Sequence, residues 1–344
     1  MGFDLNELEA TAKTMVARGK GILAADESNA TMTKRLEGAG VDSTPETRLA
    51  FRELLVSADG ASEHVSGVIL YDETIRQSAS DGTPVPAYLA ERDMLPGIKV
   101  DTGAKPLAGS PEEKVTEGLD GLRERLEEYH ELGARFAKWR GVIKIDGEEL
   151  PTPYCIDVNA HALARYAALC QEAGIVPIVE PEVLMDGDHT IDRSEEVTTA
   201  VLRRVFGELL DQGVLLEGIV LKPNMLLSGY DCPDQADVEE VAKRTLECFR
   251  RVVPPAVPGI AFLSGGQTDE LASAHLDAMN RLGDAPWELS FSYGRALQAA
   301  PLLAWAGQTE NAAEAQAVFL HRARCNGAAR DGAYTSELEG QLVA

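Results

Sequence analysis

Eight short runs with the composition of β-strands recur along the chain, and helix-like stretches separate most of them. The runs lie at 21–26, 67–71, 97–101, 136–140, 177–182, 218–222, 259–264 and 287–292. The clearest helix-like stretches lie at 158–173, 194–212 and 237–252. Parallel strands need long crossover connections, which are usually helical, so this alternation indicates a parallel sheet of the α/β class. Eight such units predict one closed (β/α)8 barrel, the TIM barrel.

An open, doubly wound parallel sheet is the structural alternative. That fold commonly carries a GxGxxG turn after its first strand, and no such turn follows the run at 21–26. No glycine- or proline-rich linker divides the chain into two halves. We therefore expect a single barrel domain over residues 1–344. The small and polar segment 328–344 is expected to be a flexible C-terminal tail.

The acidic composition limits the classes of partner. The formal net charge of −24 opposes general nucleic-acid binding, which needs a basic face, but it allows a local pocket for small anions. No apolar run reaches the roughly 18 residues of a membrane-spanning helix, so no membrane partner is expected. The five cysteines are widely spaced without a CxxC pair, a pattern typical of reduced thiols. These features predict a soluble cytoplasmic protein.

Charged residues occur in several of the strand-like runs, and in four of them they show which side chains share a face. Side chains alternate between the two faces of a strand, so residues two apart share a face. The groups that share a face are Lys99 with Asp101, Lys138 with Arg140, Glu180 with Glu182, and Lys222 with Val220 and Asn224. The outer face of a barrel strand packs against helices and requires apolar residues, so these charges are expected to point inward. They cluster near the carboxyl ends of the strands, where barrel enzymes have their active sites.

Each of these charges also has a purely structural explanation. Buried charges are costly unless they are paired or used, and a single inward lysine or glutamate can be half of a salt bridge. Glu180 and Glu182 can simply neutralise Lys138 and Lys222. Structural pairing alone explains poorly why several strands carry such charges at the same end. The set as a whole therefore favours a catalytic site.

Two glycine-containing turns follow the last two strand-like runs. Ser264-Gly265-Gly266 and Ser292-Tyr293-Gly294-Arg295 can be simple strand-ending turns. Such turns also offer free backbone N–H groups to a phosphate when they lead into helices, and Arg295 adds a bidentate donor. Barrels often bind phosphate at their last two strands, which favours this reading. After the first run, Asp26 and Ser28 are either polar groups of the same site or N-caps of a helix.

The six histidines show no metal-binding spacing. Neither an HxH nor an HExxH pair occurs in the sequence. Asp186-Gly187-Asp188-His189 is the nearest approach to a ligand cluster, and a polar loop explains it better. We therefore expect no metal ion and no cofactor.

Eight longer motifs cover nearly the whole chain. In order they are GILAADES (21–28), GIKVD (97–101), FAKWR (136–140), NAHALARY (159–166), GIVPIVEPE (174–182), LKPN (221–224), FLSGGQ (262–267) and FSYGRALQ (291–298). Together and in this order they closely resemble the motifs of class I fructose-bisphosphate aldolase, the Schiff-base family. The resemblance extends from about residue 8 to Tyr334.

This resemblance implies an activity and assigns roles to residues. The implied activity is the reversible, metal-independent cleavage of fructose 1,6-bisphosphate to dihydroxyacetone phosphate and glyceraldehyde 3-phosphate, in glycolysis and gluconeogenesis. Lys222 corresponds to the Schiff-base lysine, Glu180 to the principal proton-transfer carboxylate, and Asp26 to the carboxylate near the C4 hydroxyl. Glu182 corresponds to the carboxylate that orients the lysine, and Lys138 to a second catalytic lysine. The phosphate of the ketose end corresponds to Ser264, Gly265, Gly266, Ser292, Gly294 and Arg295. The other phosphate or its approach corresponds to Ser28, Lys34, Arg35, Arg48, Lys99 and Arg140.

The resemblance also implies a phosphorylated sugar as partner and a homotetrameric assembly. Thr31 stands where many relatives carry a phosphate-binding serine, and it keeps the hydroxyl. Animal relatives end in a longer tail that closes with a tyrosine assisting proton transfer, whereas this sequence ends at Gln341-Leu-Val-Ala344. From this difference we expect another group to serve the last protonation. The preference between fructose 1,6-bisphosphate and fructose 1-phosphate stays open at this point.

Two other functions are compatible with parts of the pattern. Another Schiff-base barrel, such as a transaldolase or a deoxyribose-phosphate aldolase, would share the lysine chemistry without needing two phosphate sites. A non-catalytic binding or scaffold protein on the same barrel should have lost part of the inward charge set. None of Asp26, Lys138, Glu180 or Lys222 is lost.

Overall fold

A closed barrel of eight parallel strands forms the centre of the structure, a computed structural model that describes residues 4–341. In chain order the strands are β1 (Gly21–Ala25), β2 (Val65–Leu70), β3 (Leu95–Lys99), β4 (Gly103–Leu107), β5 (Ser110–Glu117), β6 (Phe136–Ile143), β7 (Val176–Val183), β8 (Val220–Leu221), β9 (Gly259–Phe262) and β10 (Glu288–Tyr293). Around the barrel the order is β1-β10-β9-β8-β7-β6-β3-β2, and β2 pairs with β1 to close it. The remaining pair, β4 and β5, forms an antiparallel hairpin outside the barrel. The predicted TIM barrel is confirmed.

Helices surround the barrel. They are α1 (Leu5–Met15), α2 (Asn29–Gly38), α3 (Pro45–Val56), α4 (Ala61–His64), α5 (Asp72–Ile75), α6 (Val85–Ala90), α7 (Leu122–Glu131), α8 (Pro153–Glu172), α9 (Ile191–Asp211), α10 (Val238–Val252), α11 (Asp269–Leu282), α12 (Arg295–Trp305), α13 (Ala312–Arg330) and α14 (Ser336–Glu339). Short 3-10 turns cover Leu216–Gly218 and Thr309–Asn311. None of the helices within residues 4–341 is both long enough and apolar enough to cross a membrane.

The three predicted helices correspond to α8, α9 and α10. The largest difference is at the start of α8, which begins at Pro153 rather than at 158. Thr152 caps this helix by accepting a hydrogen bond from the backbone N–H of Cys155. Proline suits the first position of a helix because its missing N–H would have no partner there.

Strand β8 is shorter than its predicted run. A 3-10 turn occupies Leu216–Gly218, and the ladder itself is limited to Val220–Leu221. The backbone N–H of Lys222 still donates to the carbonyl of Val179 at 2.8 Å. The next residue is Pro223, which has no N–H to donate, so regular pairing ends there. Lys222 therefore lies at the carboxyl end of its strand.

Two apolar clusters build the core. The larger cluster lies between the strands and the outer helices. The smaller fills the barrel interior and includes Ile22, Ile69, Phe136, Ile178 and Val220. Helix α1 contributes Leu8, Ala12 and Met15 to this inner cluster. The lower part of the barrel is thus packed with apolar side chains, which leaves the other end for polar groups.

The predicted C-terminal tail begins inside a helix. Residue 328 belongs to α13, and the side chain of Arg330 donates to the backbone carbonyls of Ala17, Leu289 and Val16. The four-residue α14 follows. Flexibility of this segment stays a prediction, and residues 342–344 lie outside the described part of the chain.

Glu339 attaches α14 to the end of α13. Its carboxylate accepts from Arg322 and, at 2.8 Å, from the hydroxyl of Tyr334. His321, Cys325 and Glu339 also bring their ligand atoms within 4.8 Å of one another, a spacing that a metal ion could use. Because both carboxylate oxygens already have hydrogen-bond donors, this group is better described as an anchor for α14.

All five cysteines lie within the described residues. Each is buried, and no two of them form a disulfide. Burial raises the pKa of the Cys325 thiol to about 11 and that of Cys155 to about 12. Such thiols stay protonated and unreactive near neutral pH.

Candidate active site

An open cavity of about 710 Å³ lies at the carboxyl ends of the barrel strands. It is the place at which barrels of this kind carry their chemistry. All but two of the predicted site residues line it: Asp26, Ser28, Arg35, Lys99, Lys138, Arg140, Glu180, Glu182, Lys222, Ser264, Gly265, Gly266, Ser292, Gly294 and Arg295.

Arg48 and Lys34 do not line this cavity. Arg48 on α3 is buried and forms a two-pronged contact with Glu73, with N···O distances of 2.8 and 2.6 Å. Lys34 lines an adjoining groove between α2 and α12, which shares Arg35 and Arg295 with the cavity. Consecutive residues on a helix point about 100° apart, and of these two neighbours on α2 only Arg35 lines the cavity. The structure therefore does not bring these two predicted residues to the site.

Four buried charges form the centre of the cavity. The ammonium of Lys138 lies 2.7 Å from Oδ2 of Asp26 and 3.4 Å from Oε2 of Glu180. The ammonium of Lys222 lies 3.2 Å from the other oxygen, Oε1, of Glu180. All four residues are at most 9% exposed. Lys138 and Glu180 come from β6 and β7 and Lys222 from the end of β8, on the faces that strand alternation indicated, and Asp26 directly follows β1.

The protonation states of this group follow from the balance of burial and charge. Burial by itself would raise the pKa of Asp26, but the cations Lys138 and Lys222 lower it to about 2. Glu180 shows the same balance, and the two lysines hold its pKa below the ordinary value. Burial would lower the pKa of Lys138, yet Asp26 and Glu180 outweigh it and raise that pKa. At neutral pH both carboxylates are therefore ionised and Lys138 carries a positive charge.

A second set of ion pairs surrounds this centre. Arg140 pairs with Glu182, and Lys99 pairs with Asp101 at 3.0 Å. The family resemblance implies that Glu182 is the carboxylate that orients Lys222. In this structure Glu182 instead pairs with Arg140, and the carboxylate in contact with Lys222 is that of Glu180.

The loops after β9 and β10 form one wall of the cavity, which we call the glycine cradle: Ser264, Gly265, Gly266, Ser292, Gly294 and Arg295. Gly265 and Gly266 both have positive φ, 60° and 96°, a conformation that residues with a side chain adopt rarely. Helix α12 begins at Arg295 without a side-chain cap, so its first N–H groups are available. The hydroxyl of Ser292 is buried and has no hydrogen-bond partner within residues 4–341. These features suit an anion such as a phosphate.

A smaller group of donors lies on the side of the cavity formed after β1 and β3. Ser28 is the N-cap of α2, and its hydroxyl accepts from the backbone N–H of Thr31 at 3.3 Å. Arg35 on the same helix pairs with Glu27, and Lys99 follows from β3. Of the two N-cap alternatives, Ser28 is the cap, whereas Asp26 binds Lys138. The cavity thus offers anion-binding groups in two separate places.

Comparison with known proteins identifies the family. A family model described as fructose-bisphosphate aldolase class-I matches residues 7–343. The chain belongs to the class I fructose-bisphosphate aldolase family. It is a lyase with the activity of that class, which proceeds through a Schiff base without a metal ion.

Individual relatives agree along nearly their full length. A probable fructose-bisphosphate aldolase class 1 from Xanthomonas campestris is 58% identical over 95% of this chain and 98% of the relative. Cytosolic fructose-bisphosphate aldolase 5 from Arabidopsis thaliana is 52% identical over 98% of this chain and 94% of the relative. A solved aldolase from Plasmodium falciparum superimposes with a TM-score of 0.95 at 47% identity, covering 98% of each chain.

Several residues in the aldolase cavity were not among the predicted site residues. Glu27, Asp101, Asp186 and Tyr230 all line it. Asp101 carried a signal, because it shares a strand face with Lys99. Glu27 directly follows Asp26 in a matched motif. Tyr230 lies in the irregular loop after β8, where neither strand nor helix periodicity could indicate its direction.

Proposed function

We propose that Lys222 is the residue of this aldolase that forms the Schiff base with C2 of fructose 1,6-bisphosphate. An amine must be neutral to attack a carbonyl, so the nucleophile must be able to give up its proton. The buried lysines differ in this respect. Among residues 4–341, Lys138 is held as an ammonium by two carboxylates at 2.7 and 3.4 Å, whereas Lys222 contacts a single carboxylate at 3.2 Å. This difference carries the proposal.

Glu180 serves both lysines and is proposed as the main proton shuttle. After Lys222 attacks C2, the carbinolamine must lose its hydroxyl as water, and that step needs a proton. Oε1 of Glu180 faces Lys222, and Oε2 accepts no well-formed hydrogen bond within residues 4–341. Glu180 can therefore take the proton released by the amine and return it to the leaving hydroxyl.

Asp26 is proposed as the base for bond cleavage. It removes the proton of the C4 hydroxyl as the C3–C4 bond breaks, which releases glyceraldehyde 3-phosphate and leaves an enamine on Lys222. A carboxylate with a pKa of about 2 is a weak base while Lys138 is bound to it. The substrate hydroxyl must therefore displace Lys138 from Asp26 before the transfer. Protonation of the enamine at C3 and hydrolysis then release dihydroxyacetone phosphate.

The two phosphates bind at the two anion-binding places of the cavity. The glycine cradle receives the C1 phosphate, and Ser28, Arg35 and Lys99 receive the C6 phosphate. Arg140 and Glu182 are proposed to act as an ion pair that supports the floor of the cavity between the two phosphate sites. Binding energy from phosphates remote from the reacting bond can be used to hold C2 against Lys222. Lys34 and Arg48 receive no role in this scheme.

The preference for bisphosphate tests the scheme. We expect the enzyme to cleave fructose 1,6-bisphosphate with a higher kcat/KM than fructose 1-phosphate, equally well without added metal and with EDTA. Arg35→Gln should lower kcat/KM for the bisphosphate by roughly tenfold, since it removes a charged hydrogen bond to the C6 phosphate, and leave the 1-phosphate unaffected.

Lys34→Gln is the matched control, because Lys34 is the preceding residue of α2 and does not line the cavity. It should leave both substrates unchanged. A kcat/KM for fructose 1-phosphate that falls as much as that for the bisphosphate in Arg35→Gln would contradict the assignment. Preferred turnover of sugars with one phosphate would favour a transaldolase-like activity.

We further propose that the whole chain, residues 1–344, folds as a single barrel domain and works as a cytoplasmic homotetramer. The cytosolic name of the Arabidopsis relative and the five unpaired thiols support the location. The tetramer rests on the family resemblance alone. Light scattering after size-exclusion chromatography tests it, and a mass near that of one 37.0 kDa chain would contradict it.

A further inference from the structure

Tyr230 contacts the glycine cradle from the loop after β8. Its hydroxyl donates to the carbonyl of Gly265 at 2.9 Å. The sulfur of Met185 lies 3.3 Å from the same hydroxyl, but a carbonyl is the stronger acceptor and is closer. A methyl group built on Gly266 would come within 3.5 Å of this hydroxyl and 2.9 Å of a guanidinium nitrogen of Arg295. Tyr230 and Arg295 therefore both lie beside Gly266.

The hydrogen bond to Gly265 controls the direction of the next N–H group. A peptide unit is planar and trans, so the N–H of Gly266 points opposite to the carbonyl of Gly265. That N–H donates to no other group within residues 4–341. Tyr230 holds the carbonyl on its own side and thereby presents the N–H of Gly266 on the opposite side. Glycine has the widest conformational freedom, so a hydrogen bond from outside the turn is needed to fix the orientation of the Gly265–Gly266 peptide.

The loop that carries Tyr230 is itself fixed to the loop after β7. Three backbone hydrogen bonds connect them: Gly229 N–H to His189 carbonyl at 2.8 Å, Tyr230 N–H to Met185 carbonyl at 2.9 Å, and Asp231 N–H to Gly187 carbonyl at 2.9 Å. The side chain of Gln235 adds a bond to the carbonyl of Gly229 at 2.8 Å. Tyr230 is thus a partly exposed side chain on a well-attached backbone.

We propose that Tyr230 is a positioning residue for the C1 phosphate, which sets the Gly265–Gly266 peptide so that its N–H binds a phosphate oxygen. The inference rests on the proposed function, in which the glycine cradle receives that phosphate. Burial, together with Asp186, raises the pKa of Tyr230 to about 12, so the phenol keeps the proton it donates throughout the neutral range.

Tyr230→Phe tests this inference, because it removes the hydroxyl and keeps the ring. We expect KM for fructose 1,6-bisphosphate and for fructose 1-phosphate to rise by the same factor, about 3- to 10-fold, the range for one lost hydrogen bond. Both substrates carry the C1 phosphate. The competitive inhibition constant of inorganic phosphate, measured against fructose 1-phosphate so that it reports on this subsite, should rise equally, and kcat should stay within about twofold.

Tyr154→Phe is the control, since Tyr154 is 49% exposed at the start of α8 and lies outside the cavity lining. Unchanged KM values and phosphate inhibition in Tyr230→Phe would overturn the inference, as would a fall in kcat with KM unchanged. These outcomes are separable from failure of the proposed function. That failure would be an inactive wild-type enzyme, or one whose activity does not depend on Lys222.

Discussion

At the scale of single residues, the two buried lysines, Lys138 and Lys222, differ in the number of carboxylates that they contact. Lys138 lies between Asp26 and Glu180, and both carboxylates stay ionised because this cation and Lys222 offset the cost of burial. In return the carboxylates keep Lys138 protonated. Lys222 shares only one of the two carboxylates. The division of labour that we propose for these two chemically identical side chains thus follows from the number of acidic neighbours.

Glu180→Gln should separate proton transfer from binding. Glutamine has the same shape and can still accept a hydrogen bond from Lys222, but it cannot relay a proton. We expect kcat for fructose 1,6-bisphosphate to fall by about 10²- to 10⁴-fold, the usual contribution of a general acid–base, with KM changed much less. Steady-state kinetics at saturating substrate measures this.

Glu113→Gln is the control for Glu180→Gln, because Glu113 is a buried carboxylate without a catalytic role. Glu113 is 1% exposed and accepts hydrogen bonds from Thr152 and Ser110, outside the cavity lining. Its replacement should leave kcat within about twofold. If Glu180→Gln retained kcat within tenfold of the wild type, another group would have to carry the protons.

At the scale of elements, strand alternation indicated which charged strand residues line the cavity. It placed Lys138, Glu180 and Lys222 on the inward face, because these residues belong to regular strands or directly follow one. The same rule fails at Asn224, which lies beyond Pro223 where the ladder has ended. Asn224 points outward, where its side chain accepts from the N–H of Val183 and donates to Thr198 on α9.

Loops and helix faces were less predictable. The direction of Tyr230 depends on backbone bonds between two irregular loops, which have no periodicity in the sequence. Arg48 belongs to the family pattern, but its side chain is taken by Glu73, a partner 25 residues away. Such a pairing depends on the packing of α3 against the start of α5. Sequence comparison alone therefore overestimated the number of cations in the cavity.

Helix α11 supports the glycine cradle through a buried histidine. Nδ1 of His275 lies 2.6 Å from Oε1 of Gln267, whose amide donates to the carbonyl of Ser264 at 3.0 Å. A carbonyl oxygen only accepts, so Nδ1 carries the hydrogen. Burial lowers the pKa of His275 to about 4. The imidazole ring of His275 is thus neutral in the folded protein.

This histidine should make stability depend on pH. Its pKa is lower in the folded state than in the unfolded state, where it is about 6.5, so the unfolded state binds more protons in between. The stabilisation is complete above pH 6.5 and is lost as the pH falls toward 4. Between pH 8 and pH 5 the loss should be about 2 kcal/mol.

Comparison with His275→Asn isolates the effect, because asparagine keeps a donor for Gln267 and does not titrate. Urea unfolding of both proteins at pH 8 and pH 5 gives the difference in unfolding free energy. The wild type should lose about 2 kcal/mol relative to the variant on going to pH 5. A difference that is the same at both pH values would show that His275 does not titrate as described.

At the scale of the whole molecule, the barrel separates packing from chemistry. Helix α1 and the apolar inner cluster fill one end, and the charged cavity occupies the other. The chain carries a net charge of −24, yet the cavity lining balances its signs. Its cations are Arg35, Lys99, Lys138, Arg140, Lys222 and Arg295, and its anions are Asp26, Glu27, Asp101, Glu180, Glu182 and Asp186. Phosphate recognition therefore depends on where the donors are placed rather than on an overall positive field.

The most direct test of the account is to trap the Schiff base. Wild-type enzyme mixed with fructose 1,6-bisphosphate and reduced with borohydride should gain one covalent adduct, and peptide mapping should place it on Lys222. Lys222→Arg should form no adduct and should lose its activity, while its fold, measured by circular dichroism, stays intact. An adduct on Lys138 or on any other lysine, or full activity without Lys222, would contradict the account.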